Sequence, residues 1–140
     1  MSNDTFDYII IGSGSSGSII AYRLQEAFPN KKILLIESGG NDKKLTVSIP
    51  AGYGYLFYND KVNWKYKTEK IKGLNGRQDY WPKGKILGGS SSINAMVYIR
   101  GQQDDYNNWN TNDWYWSDVL PYFLKIEKHY LGKSNFHNDK

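Results

Sequence analysis

The feature that most constrains this chain is a run of β-branched residues that stops abruptly at three spaced glycines. Asp7-Tyr8-Ile9-Ile10-Ile11 is followed by Gly12-Ser13-Gly14-Ser15-Ser16-Gly17, and a helical apolar pattern begins at once. In a G-x-G-x-x-G series the first glycine permits a tight strand-to-helix turn. The second removes a Cβ that would hold a pyrophosphate away, and the third lets the helix pack close to the strand. The N–H groups at the helix start, with the helix dipole behind them, then favour an anionic group. Glycine-rich turns with this spacing also arise by chance, so the flanking residues decide the reading.

Those flanks fit. Ile19, Ile20, Leu24 and Phe28 give the first helix an apolar stripe, and Pro29-Asn30 ends it. Ile33-Leu34-Leu35-Ile36 reads as a short buried parallel strand that ends in Glu37. Glu37 follows the glycines at the interval of about 20 residues where an acidic side chain meets an adenosine ribose. Residues 6–37 are therefore expected to form one βαβ unit with a right-handed crossover, which places the chain in the α/β class. The spacing leaves NAD and FAD equally open.

Composition removes several alternatives. With 12 Tyr, 5 Trp and 5 Phe in 140 residues, the chain can build one modest core and is not of disordered composition. The formal charge of +4 comes mostly from lysines scattered without a stripe or an arginine cluster, so no nucleic-acid partner is expected. The absence of cysteine excludes disulfides and thiolate-bound metals. No run of 18 apolar residues exists, so no membrane span is expected. Met1-Ser2-Asn3-Asp4-Thr5 is polar and lacks a signal-peptide pattern, and a soluble intracellular protein is the expectation.

Residues 48–58 combine helix breakers with aromatic rings and predict a short helix over 53–58. The rings of Tyr53, Tyr55, Phe57 and Tyr58 read as packing surface for the first layer, not as an aromatic cofactor box. Residues 62–68 alternate around Trp64 and Tyr66, as an edge or half-buried strand does. Gly73-Leu74-Asn75-Gly76-Arg77 reads as a loop or hairpin turn, and residues 78–81 as extended chain ahead of Pro82.

A second informative stretch runs over residues 82–101. Gly88-Gly89-Ser90-Ser91-Ser92 reads as a turn opening another helix, its hydroxyls and N–H groups free to cap that helix or hold a ligand. A nucleophilic serine would need a base. Only His129 and His137 exist, and no G-x-S-x-G elbow is present, so acyl-transfer chemistry is set aside. Residues 103–109 and 117–126 read as short helices, the latter capped by Ser117, with Pro121 tolerated in its first turns. Glu127, beyond that helix, is read as unconnected with either glycine turn.

Taken together, Asp7 to Gly17, Glu37-Ser38-Gly39-Gly40, Trp64 to Glu69, the residues from Pro82 to Gly101 and Trp116 to Phe123 closely resemble the N-terminal pattern of the glucose-methanol-choline (GMC) oxidoreductases. The choline-dehydrogenase-like members are nearest in character. The resemblance implies an incomplete Rossmann-like FAD-binding fold with irregular and short helical extensions, and FAD in place of NAD. It implies that Gly12, Gly14, Ser15, Ser16 and Gly17 hold the pyrophosphate and Glu37 the ribose. Ser90, Asn94, Ala95, Val97 and Tyr98 would lie along the flavin. Some relatives bind the flavin covalently through a histidine just before the matching asparagine. Ile93 stands there in this chain, so a non-covalent, weakly held flavin is expected.

The family's catalytic His–His or His–Asn pair lies beyond the region of resemblance, and neither His129 nor His137 matches it, so no catalytic residue is assigned. Residues 1–140 are accordingly expected to be one N-terminal FAD-binding segment of a truncated member, inactive by itself. Two alternatives stay open. One is the N-terminal part of a working alcohol or choline dehydrogenase, completed by a C-terminal polypeptide. The other is a non-catalytic binding protein that reuses the βαβ unit.

Overall fold

The computed structural model describes residues 5–130 and 132–139. The chain divides into two compact units, the first running to Val97 and the second starting at Tyr98. Among the described residues no helix is long and apolar enough to cross a membrane.

The first unit opens with strand β1 (Tyr8–Ile11), helix α1 (Ser15–Ala27) and strand β2 (Ile33–Ile36). The two strands pair in parallel, from Tyr8 opposite Ile33 to Ile11 opposite Ile36, and α1 makes the crossover. Their lower end is tied by Asp7, whose carboxylate accepts from Lys31 Nζ at 2.8 Å and from the Lys32 N–H at 2.9 Å. At the upper end the Gly12 N–H donates to the Ile36 carbonyl at 2.7 Å, carrying the ladder one residue past β1. The C-terminal end of α1 meets the strands through Phe28, whose ring stacks on Tyr8. This is the βαβ unit that the apolar runs and the glycine spacing predict.

The rest of the unit departs from expectation in instructive ways. The apolar stripe of α1 is only partly covered, with Ile19, Ile20 and Phe28 about half exposed. The buried core lies elsewhere, in Leu56, Val62, Ile86 and Ile93 with Val47 against them. Helix α2 (Leu45–Ser48) and helix α3 (Tyr53–Leu56) supply two of these residues. The expected helix over 53–58 is thus present but short. Its tyrosine rings do not pack inward: Tyr53, Tyr55 and Tyr58 are exposed. Tyr53 meets Phe57 edge-on and Tyr58 stacks on Tyr80. Aliphatic residues do the burying here, while the rings cover one another.

The strand expected over 62–68 shrinks to β3 (Tyr66–Lys67), antiparallel to β4 (Tyr80–Trp81). Its interruption has a local cause. Buried Asn63 turns its Oδ1 to the N–H groups of Lys65 and Lys83, both at 2.9 Å, and Lys65 takes a left-handed φ of 55°. An Asx turn therefore competes with the ladder and prevails. The turn expected over 73–77 forms, with Asn75 and Gly76 both left-handed. The serine-rich stretch differs more. Gly88 and Gly89 take φ values of 86° and 58°, and only one 3₁₀ turn, Gly89–Ser92, follows in place of a helix.

In the second unit, α4 (Gln103–Asn107) and α5 (Trp116–Ile126) meet through an aromatic cluster of Tyr106, Trp109, Trp116 and Phe123. The cap of α5 is not Ser117. The helix starts one residue earlier, and the Asp118 carboxylate reaches back to the Tyr115 N–H at 3.1 Å while Asn107 Oδ1 accepts from the Trp116 N–H at 3.0 Å. Pro121 lies inside the helix without ending it.

Candidate functional site

The glycine turn between β1 and α1 has the geometry that its three glycines predict, for three different reasons. Gly12 adopts φ 95°, a left-handed conformation that suits glycine. A Cβ on Gly17 would lie 2.0 Å from the Gly12 carbonyl oxygen, so only glycine lets α1 approach the strand this closely. Gly14, the N-cap of α1, has ordinary φ and open space where a Cβ would stand. Nothing in the fold explains a glycine there. The space in front of it, at a helix start whose first N–H groups cannot bond within the helix, suits a phosphate-bearing ligand. Ser15 and Ser16 form the exposed first turn beside it.

Glu37 sits one residue past β2 and is brought to this turn. Its Oε2 accepts from the Ser13 N–H at 2.9 Å and from the Ser13 hydroxyl at 2.8 Å, and its Oε1 accepts from the Gly39 N–H at 2.9 Å. Partial burial pushes the carboxyl group up in pKa. The N–H groups of Ser13 and Gly39 and the hydroxyls of Ser13 and Ser38 outweigh that and leave it below the ordinary glutamate value. The ionised form is therefore the resting state, an acceptor suited to ribose hydroxyls.

The second glycine stretch is folded onto the first. A Cβ on Gly39 would lie 2.0 Å from the Lys85 carbonyl, and the Leu87 N–H donates to the Gly40 carbonyl at 2.8 Å. The Gly88 N–H donates to the Ser13 carbonyl at 3.0 Å. Two motifs 75 positions apart thus share one turn.

The residues expected along a flavin divide into two groups. Ser90, Asn94 and Ala95 line one pocket of about 180 Å³ together with Phe57, Pro82 and Ile93. Ser90 Oγ accepts from the Gly84 N–H at 3.1 Å, and Asn94 Oδ1 accepts from the Met96 N–H at 2.9 Å. That Asx turn and the left-handed Met96 then carry the chain away, so Val97 does not join the pocket and is highly exposed. Tyr98 belongs to the second unit, where its hydroxyl donates to Glu127 at 3.3 Å. Ile93 is buried in the core and is itself part of the pocket wall.

Two groups of residues carry structure that sequence patterns do not mark. Ser13 stands at an unspecified position of the glycine series, and nothing in the spacing singles it out. Glu127 touches neither glycine turn through the bonds it makes, but it has a cluster of its own. It is buried, with Arg100 Nη2 at 2.7 Å and His137 Nδ1 at 3.1 Å from its Oε2. Arg100 also donates to the Phe136 carbonyl at 2.7 Å.

A parallel βαβ unit with a glycine-rich crossover turn, and an acid at the end of its second strand, defines a Rossmann-like α/β protein. Residues 6–138 match the GMC oxidoreductase family, and the chain belongs to it. It is 41% identical over 145 residues to the mitochondrial choline dehydrogenase of Homo sapiens, an alignment covering 96% of this chain and 24% of that protein. Among solved structures, pyridoxine 4-oxidase from Mesorbium loti superposes with a TM-score of 0.84 at 37% identity, over 96% of this chain and 27% of that one. A variant of Aspergillus oryzae formate oxidase, described for its FAD modification, superposes with a TM-score of 0.81 at 27% identity, over all of this chain and 26% of its own. The chain spans about a quarter of the length of the curated relatives it matches.

Proposed function

We propose that these 140 residues form the FAD-binding N-terminal segment of a GMC-type alcohol oxidoreductase and do not by themselves oxidise an alcohol. The observation that carries the binding half is Gly14: open space at a helix start, beside a carboxylate held ionised by four donors. The pyrophosphate would rest against Gly12, Gly14, Ser15, Ser16 and Gly17, and the ribose hydroxyls would donate to Glu37. Ser90, Asn94 and Ala95 would line the flavin end. FAD bound there would supply the hydride acceptor for oxidation of a CH–OH donor.

The catalytic half of the proposal rests on the histidines. A base must stand against the substrate hydroxyl to take its proton. His137 is committed to Glu127 at 3.1 Å and its ring stacks on His129 at 3.9 Å, so neither is assigned as that base.

Titrating FAD and ADP into the purified chain by calorimetry tests the binding half, with Glu37→Ala as the variant and exposed Glu69→Ala as the control. Losing a charged acceptor should weaken binding by roughly ten- to a hundredfold, and Glu69→Ala should change nothing. Equal binding by both variants removes the ribose assignment. Acid precipitation should leave all flavin in the supernatant, since Ile93 offers no atom for a covalent link. Dye reduction with choline or a primary alcohol above a heat-killed control would refute the catalytic half.

A second reading, a working dehydrogenase completed by further polypeptide, is favoured by one observation. Parallel strands are ordinarily covered on both faces, yet Ile9, Ile11 and Ile36 are 59%, 86% and 44% exposed. An adjacent reading frame carrying the family's C-terminal pattern, whose product restores activity when co-expressed, would establish it.

A further inference from the structure

Ser13 is fully buried, and all its polar atoms are spent on other parts of the nucleotide site. Its N–H and its hydroxyl both reach Glu37 Oε2, at 2.9 and 2.8 Å. Its carbonyl accepts from the Gly88 N–H at 3.0 Å and from the Ser18 hydroxyl at 2.9 Å. The Gly88 N–H also lies 3.2 Å from Ser13 Oγ. A hydroxyl has one proton to give. With that proton on Glu37, the Oγ lone pairs face Gly88, so one oxygen atom joins the carboxylate to the second glycine turn.

We propose that Ser13 is a positioning residue for the adenosine-ribose site, fixing the Glu37 carboxylate and coupling its posture to the Gly88–Gly89 turn. The inference rests on the nucleotide-binding reading above. A free glutamate side chain samples several rotamers, and meeting a pair of ribose hydroxyls requires one of them. Ser13 supplies two donors to one carboxylate oxygen and Gly39 one donor to the other. The Ser38 hydroxyl, 3.4 Å from Oε1, is a fourth and longer donor. A carboxylate has about four acceptor positions, so a ribose hydroxyl would displace this weakest contact. Alanine at position 13 would keep the N–H bond and lose both contacts of the hydroxyl. Glu37 Oε2 would then keep one donor in place of two, and Gly88 would keep a single acceptor. The predicted consequence is a change at two places far apart in sequence, not a general loosening.

The test compares the full chain with Ser13→Ala by three measurements. These are ADP affinity by calorimetry, titration of the Glu37 carboxyl by carbon NMR, and amide exchange at Gly39 and Gly88. The variant should bind ADP about tenfold more weakly, titrate Glu37 at higher pH and exchange Gly88 faster. In the unaltered chain, ADP should slow exchange at Gly88 as well as at Gly39. Unchanged Glu37 titration in the variant overturns the proposal, as does unchanged ADP affinity. No slowing of Gly88 by ADP in the unaltered chain also overturns it, and that arm stands even if the variant fails to fold. Binding of ADP by the parent with no effect of Ser13→Ala defeats the Ser13 role alone. A parent that binds no ADP defeats the nucleotide reading, and the ribose role of Ser13 with it.

Discussion

Gly89 lies against Gly14 so closely that a Cβ on Gly89 would come within 2.9 Å of the Gly14 Cα. The two glycine stretches are therefore one packed object, with the second turn seated on the start of α1. Gly89 also has φ 58°, whereas Gly76, with φ 75°, has open space around it. Alanine at either position carries the left-handed penalty of about 1–2 kcal/mol. Only at position 89 must it also displace a neighbouring backbone. Gly89→Ala should thus destabilise the chain clearly more than Gly76→Ala in urea unfolding monitored by circular dichroism. Equal losses would mean that the second turn can move off the first without cost.

Gly14 and Gly17 separate a binding role from a folding role. At Gly17 a Cβ would strike the Gly12 carbonyl at 2.0 Å, so Gly17→Ala should push α1 off β1 and unfold the unit or cost several times the usual value for a surface change. At Gly14 the backbone is ordinary and the space is empty. Gly14→Ala should cost only about 1 kcal/mol of stability, the ordinary loss when alanine replaces a better N-cap. It should nonetheless weaken ADP and FAD binding at least tenfold, because the methyl group would stand where the pyrophosphate approaches. A Gly14→Ala chain that folds and binds normally places the phosphates elsewhere.

The contrast between these glycines explains what was legible in the sequence. The β1-α1-β2 unit could be read because apolar runs, the 3.6-residue period and the glycine spacing are local signals. Glu37 was readable by its interval from the turn. The helix expected after Gly89 was not formed because two successive left-handed residues spend the turn before a helix can start. Ser117 was the obvious cap by residue type, but Asp118 and Asn107 bond the N–H groups of Tyr115 and Trp116, and the helix starts at Trp116. Ser13, Arg100 and His137 act through partners 10 to 75 positions away, and long-range polar pairing leaves no periodic trace.

Ile9 and Ile11 share one face of β1, two residues apart, and Ile36 stands opposite Ile11 in the pair. Their exposure gives a parallel ribbon with an uncovered apolar side, the kind of surface that promotes self-association. Ile11, 86% exposed, contributes little burial. Ile11→Thr keeps the β-branch and should change stability by no more than about 0.5 kcal/mol. It should lower the apparent mass of the purified chain in sedimentation velocity. A variant that self-associates as strongly as the parent would move the adhesive surface elsewhere.

Glu127 gives the second unit a defined acid sensitivity. Burial pushes its carboxyl up, but the hydrogen bond from His137, the charges of Arg100 and His137, and the Asn138 backbone outweigh that and hold it below the ordinary glutamate value. The Tyr98 hydroxyl at 3.3 Å is the remaining polar group against it. Between the folded and unfolded pKa values the unfolded chain binds the extra proton, so stability rises with pH across that window. The contribution is complete above the ordinary glutamate value of about 4.3 and disappears as pH falls through the lower folded value. Acid should therefore loosen the segment that carries His137. The amide of His129 reports it directly, since it donates to the Asn138 carbonyl at 2.7 Å. Its exchange protection should fall below about pH 4.3 in the parent. In Glu127→Gln protection should be lower at neutral pH, because Arg100 loses its counter-charge, and it should no longer change through the acid window. If Glu127→Gln keeps the parent's acid slope at His129, another carboxylate holds this segment and the Arg100–Glu127–His137 cluster does not control its opening.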